Sequence, residues 1–563
     1  MTGHPVAALP GTLRLPTPES TRLLASLAPV TLGGLLRGVE REGLRVHADG
    51  SLATTPHPAA LGAALTHPHI TTDFSESQLE LITGVHPQAS ACVAELTELH
   101  RFVYGEIAGE AIWTSSMPCR LPDDTLIPIG RYGSSHLGRL KTVYRTGLSY
   151  RYGKRMQTIS GIHYNFSLPV AAWSGLRDAG AAFGSAAVTG LAPDDAFRSA
   201  AYFALIRNFR RESWLLLYLF GASPAVCRCF VEGRSHDLAP LGGQTFHLPY
   251  ATSLRMGPLG YQSQAQASMR VSFNSLADYA RSLLRGLTER WPAYERIGIR
   301  DGDDYRQLAT TLIQIENEFY SAIRAKRRIR RGERPLHALM ERGVEYIEVR
   351  NLDVDPYTPE GIGASAMRFL DAFLVKCLLA ASPDDHPGEI AEIAGNQFTV
   401  AERGRQPGLT LRRGGRDAGL AAWGSAIVDE CEPVADALDA AAGGHAHRDA
   451  LAEARRRLAD PDETPSARVL REVRTEHHDS FHGFALARSL ANRAAVLALP
   501  PNAAARSRCE SMARASLEAQ REIEASDRVP FEEYRVAYLA QDLLAGRSFA
   551  APGATAATAR HGS

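Results

Sequence analysis

The chain has 563 residues but no excess of charge, because 62 Lys and Arg balance 62 Asp and Glu. That removes the electrostatic footprint of a nucleic-acid binder or a membrane-surface protein, so neither partner is expected. A long apolar run is also missing. The longest uncharged one, "SWLLLYLFGASPAVC" at residues 213–227, is too short to span a bilayer and is interrupted by Gly221 and Pro224. It reads as a core helix ending in a turn. The opening "MTGHPVAALPGTLRLP" lacks a basic segment followed by an apolar one, so no signal peptide is expected. Cysteine is scarce: there are seven, they are scattered, none forms a CxxC pair, and Cys227 and Cys229 lie too close for a usual zinc knuckle. Reduced thiols in a cytoplasmic protein follow from that pattern.

The common nucleotide cradles are absent as well. No GxxxxGK[ST] loop occurs, since "GSSHLGRLK" lacks a lysine directly after its second glycine, and there is no GxGxxG after a strand, no HExxH and no GxSxG. A protein without these that still handles a nucleotide must hold its phosphates by other means. Metal ions fixed by carboxylates are the usual alternative.

What the chain does contain is a set of carboxylates at strand spacing. In "RGVEREGLRV" the apolar residues alternate as in a strand, which puts Glu40 and Glu42 on one face. Two like charges side by side need a cation. In "TTDFSESQLELIT" Asp73 and Glu76 have the spacing of a capping box, and Glu80 lies two helical turns beyond Asp73. A helix over 75–82 is therefore expected, with Leu79 and Ile82 toward the core. In "SGIHYNFSL" Ile162, Tyr164, Phe166 and Leu168 share one face, and His163, Asn165 and Ser167 the other. In "VEYIEVRNLDVDPYTP" Tyr346, Glu348, Arg350 and Leu352 share a face opposite Glu345, Ile347 and Val349. Arg324, Lys326, Arg327, Arg328, Arg330, Arg331 and Arg334 form a basic stretch upstream that would suit a polyphosphate. Each stretch alone also fits a solvated face. Together they hold the inventory for magnesium-dependent phosphoryl transfer.

Strands are expected over 36–46, 158–168, 250–254 and 344–352, and further helices over 89–107, 197–219, 275–288 and 367–381. This mixture is neither regular βαβ nor all helix, and it points to an α+β class with an antiparallel sheet and helices on one side. After about residue 415 alanine, arginine and glutamate dominate. The expected organisation is a flexible arm at 1–20, a core at 21–415, a helical section packed on it at 416–545, and a disordered tail at 546–563. His477, His478 and His482 in "TEHHDSFHG" read as solvated histidines rather than a metal site, and Cys119 as a buried thiol.

Seven ordered blocks, "GVEREGLRV", "LTHPHITTDFSESQLELIT", "MQTISGIHYNFSLP", "YLFGASPAVC", "LPYATSLRM", "LIQIENEFYSAIRAKR" and "GVEYIEVRNLDVDPYTP", closely resemble the proteobacterial glutamate–cysteine ligases. The likeness spans roughly residues 35–415. It implies a glutamine-synthetase-like fold whose curved antiparallel sheet forms a funnel-shaped active site. It also implies a reaction in which ATP phosphorylates the γ-carboxylate of L-glutamate and the amine of L-cysteine attacks the γ-glutamyl phosphate. By position, the resemblance assigns Glu40, Glu42, Asp73, Glu80, His163 and Glu348 to Mg²⁺, with Mn²⁺ as a substitute. It assigns Arg255 to a substrate carboxylate, and Phe74, Tyr144, Leu148, Gln157, Tyr261 and Tyr320 to the cysteine pocket. Asn165 is placed with the substrate-binding residues, Arg350 with Glu348 at the reacting phosphate, and Arg324 and Lys326 with the nucleotide. Glutamate, cysteine and ATP are the implied small-molecule partners, and a monomer the implied state. A γ-glutamyl ligase for another amine, a metal-dependent phosphohydrolase and a non-catalytic nucleotide- or metal-binding regulator are the rival readings.

Overall fold

The computed structural model describes residues 16–188, 190–260, 263–330 and 332–540. Most of the expected arm, the whole tail from 546, Tyr261 and Arg331 lie outside them. A helix, Pro18–Ser26, begins within the segment expected to be an arm, with Thr17 capping it.

Seven strands form the central sheet: β1 (Leu36–Val46), β2 (Ile70–Thr72), β3 (Gln78–Ile82), β4 (Ala111–Ile112), β5 (Ile162–Ser167), β6 (Ile323–Lys326) and β7 (Tyr346–Leu352). Their order is β6-β7-β5-β1-β3-β2, with β4 on the far end of β1, and every pair is antiparallel. Period-2 alternation gives the sheet two unlike faces. Val39, Leu79, Leu81, Ile162, Tyr164, Phe166, Ile347 and Val349 are buried in one hydrophobic core with the helices α1 (Ala89–Glu106), α2 (Pro193–Glu212), α3 (Trp214–Phe220), α4 (Ala364–Leu379) and α5 (Leu420–Ala442). The α+β architecture, with helices on one side of an antiparallel sheet, is thus the one expected.

Four local expectations fail. Residues 75–82 are not helical. They contain β3, preceded by a turn, because Leu79 and Leu81 both reach the core and only a two-residue period allows that. Glu76 is no capping residue: its carboxylate accepts from the amides of His57 at 2.9 Å and Arg131 at 2.8 Å. The helix expected over 197–219 is two, broken at Ser213, whose carbonyl accepts from Asn351 and whose hydroxyl accepts from Gln397. Residues 250–254 form no strand. The amides of Thr252 and Ser253 instead donate to the Ala401 carbonyl, and Leu254–Met256 is a single 3₁₀ turn.

The register shifts between Val349 and Leu352 on β7. Such a bulge returns the next side chain to the other face. Leu352 therefore lies in the apolar core with Ile162, not on the Glu348 face as strict alternation predicts, while Arg350 stays beside Glu348. Over residues 420–540 the chain is helical and leans on the core. Asn492 donates to the hydroxyl of Thr114 at 2.9 Å, and Phe531 and Tyr534 pack with Leu140 and Val143.

Candidate active site

The face of the sheet opposite the helices carries the carboxylates. Antiparallel register sets Glu42 against Glu80, Glu40 against His163, and Asn165 against Glu348. Like charges directly across a ladder are destabilising, so this register calls for a positive charge between them. His163 lies among these carboxylates. Its Nδ1 lies 3.0 Å from Glu40 Oε2 and 3.8 Å from Glu348 Oε1, and its Nε2 lies 3.3 Å from Glu42 Oε1. Ligand atoms of Glu40, His163 and Glu348 lie within 4.8 Å of one another, and so do those of Glu42, Glu80 and His163. His163 is thus the hinge of two adjoining three-residue groups. Asp73 lies on the β2–β3 turn, outside both groups but in the wall of the same cavity.

The two groups differ electrostatically. Burial and Glu348 oppose ionisation of Glu40, but His163 and Lys326 outweigh them and hold it down at about 2. Glu348 is held well below the ordinary carboxylate range despite its burial, by Lys326, Arg350 and His163. Lys326 Nζ is 3.2 Å and Arg350 Nη1 3.1 Å from its Oε1. On the other side, burial and the neighbouring Glu40, Asp73 and Glu42 push Glu80 well up, and burial with Asp73 raises Glu42. That half of the face is short of positive charge.

This face forms one wall of a cavity of about 920 Å³. Glu40, Glu42, Asp73, Phe74, Glu80, Tyr144, Leu148, Gln157, His163, Arg255, Tyr320, Arg324, Lys326, Glu348 and Arg350 all line it. Asn165 does not. Its amide donates to Glu40 Oε1 at 2.9 Å, behind the carboxylate. Tyr261 lies outside the described residues. Arg255 donates to the Arg350 carbonyl at 3.0 Å, and the Tyr320 hydroxyl lies 3.0 Å from Met256 Sδ.

The basic stretch divides. Arg324, Lys326 and Arg330 line the cavity, although Arg324 gives its Nη2 to the carbonyls of Asn317 and Phe319. Arg328 points to solvent on Glu345, and Arg334 is buried on Glu316 at 2.6 Å. Of the His-rich segment, His482 stacks on Trp113 and His477 meets the Phe484 edge. Neither belongs to a metal-binding group among the described residues. The seven cysteines are all free thiols, and Cys119 is buried as expected.

The sequence reading overlooked two cations. The helix α6 (His136–Tyr152) places Lys141 and Arg145 in the cavity wall beside Tyr144 and Leu148. Burial and the neighbouring Arg145 push Lys141 down to about 8 against the pull of Glu80. The available signal was helical spacing, since 141, 144, 145 and 148 are i, i+3, i+4 and i+7.

An acidic sheet face, edged by arginines and opening on a cavity, has the layout of a carboxylate–metal nucleotide enzyme. The glutamate–cysteine ligase family profile matches residues 22–400, and the chain belongs to that family. It is 49% identical over 524 residues to the glutamate–cysteine ligase of Azotobacter vinelandii, covering 92% of this chain and 98% of that one. With the Pseudomonas entomophila ligase it shares 48% over 508 residues, 90% of this chain and 94% of that one. Among solved structures, the Francisella tularensis glutamate–cysteine ligase in complex with AMP superposes with a TM-score of 0.83 at 36% identity, covering 90% of this chain and 97% of that one. A bifunctional glutathione synthetase from Pasteurella multocida gives 0.65 at 25% identity, over 85% of this chain and 55% of that one. The fold is the glutamine-synthetase-like α+β fold that the sequence resemblance implied.

Proposed function

We propose that the cavity joins the γ-carboxylate of L-glutamate to the amine of L-cysteine, converting ATP to ADP and phosphate and giving γ-glutamylcysteine for glutathione synthesis. Family membership over most of the chain supports this reading. The single structural observation behind it is the pair of adjoining ligand groups that share His163.

The donor set suits Mg²⁺, and its one imidazole leaves room for Mn²⁺. Glu348 Oε2 is buried with no hydrogen-bond partner among the described residues, and the Glu42–Glu80 pair is short of positive charge. Both observations fit bound divalent cations. Glu40, His163 and Glu348 would hold one, and Glu42 and Glu80, with Asp73 on the turn beside them, a second. Such ions, when bound, neutralise phosphate charge. The protein's own groups do the rest. Asn165 fixes the orientation of Glu40, and the Gly161 amide fixes Glu42 at 2.7 Å. Arg350, beside Glu348, meets the charge that develops on the transferred phosphoryl group. Arg324 and Lys326 flank the nucleotide, and Arg255 receives a glutamate carboxylate. Phe74, Tyr144, Leu148, Gln157 and Tyr320 enclose a small thiol-bearing side chain and keep water from the γ-glutamyl phosphate. The chain works as a monomer in the cytoplasm, where its seven thiols remain reduced. Among the described residues, no helix is long and apolar enough to cross a membrane.

Purified protein with Mg²⁺ and ATP should release ADP only when glutamate and cysteine are both present, with a γ-glutamylcysteine mass. Release with glutamate alone would indicate a phosphohydrolase, and release with another amine a different acceptor. No release at all would leave a regulator.

A further inference from the structure

Four of the seven sequence blocks meet around Arg255. Asp353, from the block that carries β7, is buried there and is not part of the cavity wall that Arg255 lines. Its Oδ2 accepts from the Ala222 amide at 2.9 Å and from the Ser223 hydroxyl at 2.6 Å, both in "YLFGASPAVC". Its Oδ1 accepts from the Ser253 hydroxyl at 2.9 Å and lies 3.9 Å from Arg255 Nη1, both in "LPYATSLRM". The two loops are also clamped through their backbones, since the Leu254 amide donates to the Ser223 carbonyl at 2.8 Å. The fourth block, "MQTISGIHYNFSLP", supplies Gly161, where a Cβ would collide with the Arg255 guanidinium. Burial pushes the Asp353 carboxyl up, and Arg255 opposes that most. A buried carboxylate is costly without a cation, and Arg255 is the cation beside it.

The bulge on β7 is what brings Asp353 to this place. Strict alternation would put it on the face of Ile347 and Val349, inside the apolar core. The register shift between Val349 and Leu352 sends Leu352 there instead and returns Asp353 to the side of Arg255. Arg255 in turn is anchored but not saturated. Its Nη2 donates to the Arg350 carbonyl at 3.0 Å, its Nη1 meets Asp353 and the Met256 sulfur, and its Nε has no hydrogen-bond partner among the described residues. Donors are left for an incoming carboxylate, and a planar fork matches one only when its orientation is fixed. We infer that Asp353, delivered by the β7 bulge, is a positioning residue that holds Arg255 in place for the carboxylate of glutamate. This rests on the ligase reading given above and on its placing of Arg255.

The test is a double-mutant cycle read in the steady-state kinetics of the purified protein with Mg²⁺, ATP, glutamate and cysteine. Asp353→Asn keeps the size of the side chain and removes its charge. It should raise KM for glutamate by about 10- to 100-fold, as loss of an orienting partner does, while KM for ATP and for cysteine stays within about twofold. Arg255→Lys should raise the same KM. In the Arg255→Lys background, Asp353→Asn should move glutamate KM by less than about threefold, because a residue that acts through Arg255 has nothing left to orient. Ser253→Ala removes one donor from Oδ1 and leaves the charge, and it keeps the test open if Asp353→Asn does not fold. It should raise glutamate KM by about threefold or more in the wild type and not in Arg255→Lys. Fully additive effects would overturn the inference, since Asp353 would then be only a clamp between the two loops. So would a rise in KM for ATP or cysteine in place of glutamate. A wild-type glutamate KM in Arg255→Lys would remove Arg255 from the glutamate site and the inference with it. Absence of γ-glutamylcysteine from the wild type would instead sink the ligase reading itself.

Discussion

The two faces of the central sheet are made by the same strands and obey opposite rules. On one, Val39, Leu79, Leu81, Ile162, Tyr164, Phe166, Ile347 and Val349 are nearly inaccessible and packed against helices. Polar groups on this face are paired too: the Tyr164 hydroxyl donates to Asp371 at 2.6 Å, and Arg37 pairs with the same carboxylate at 2.7 Å, although Arg41 keeps two buried guanidinium nitrogens without a partner among the described residues. The other face sets Glu42 against Glu80 and leaves a buried oxygen of Glu348 without a partner among the described residues. The first face supplies folding free energy, and the second spends some of it on a site that only bound cations complete. Substitutions on the two faces should therefore separate stability from activity.

The largest effect belongs to the acidic face. Glu42→Gln should lower kcat by about 10²- to 10³-fold, as losing a charge-stabilising group does. Its melting temperature should hold or rise, because the repulsion with Glu80 is relieved. Near-wild-type turnover at saturating Mg²⁺ would remove Glu42 from the site. On the apolar face Ile347→Ala should cost about 2–5 kcal/mol in urea unfolding, while the folded fraction keeps its KM for ATP. Mg²⁺ bridges the comparison. At about 100 times its dissociation constant it should stabilise the wild type by about 2.7 kcal/mol in thermal unfolding, and Glu42→Gln should lose much of that shift. A wild type indifferent to Mg²⁺ would contradict the cation sites.

The smallest effect lies off the sheet. Glu333 accepts from Arg342 at 2.7 and 2.8 Å, and despite its burial these contacts and the Arg330 amide hold its carboxyl at about 2. A carboxyl depressed in the folded state stabilises above its unfolded pKa. That stability should be full above about pH 4.5 and drain as the pH falls toward 2. Glu333→Gln should lose about 1.5–3 kcal/mol near neutrality and flatten the acid limb of a stability–pH curve.

The legible part of the site was the part written in alternation. Glu40 and Glu42 on β1, His163 on β5, and Glu348 with Arg350 on β7 all lie on strands whose apolar partners repeat every second residue. Glu80 was found on the wrong element. "SESQLELIT" fits a helical cap as well as a strand, and local spacing cannot tell which neighbours Leu79 and Leu81 will meet. Leu352 was misplaced because a bulge leaves no mark in composition. Lys141 and Arg145 were passed over because a helix stripe declares no function until a cavity forms against it.

By itself, then, the sequence determined which side chains β1, β5 and β7 as far as Arg350 present to either face, since that depends only on the two-residue period of an extended backbone. The order β6-β7-β5-β1-β3-β2 was decided by tertiary structure, because it depends on pairings such as Glu40 with His163 and Glu348 with Asn165, which lie far apart in the chain. That order alone brings His163 between Glu40, Glu42 and Glu348, and packing of α6 across the cavity leaves Lys141 and Arg145 facing it with no ion-pair partner among the described residues.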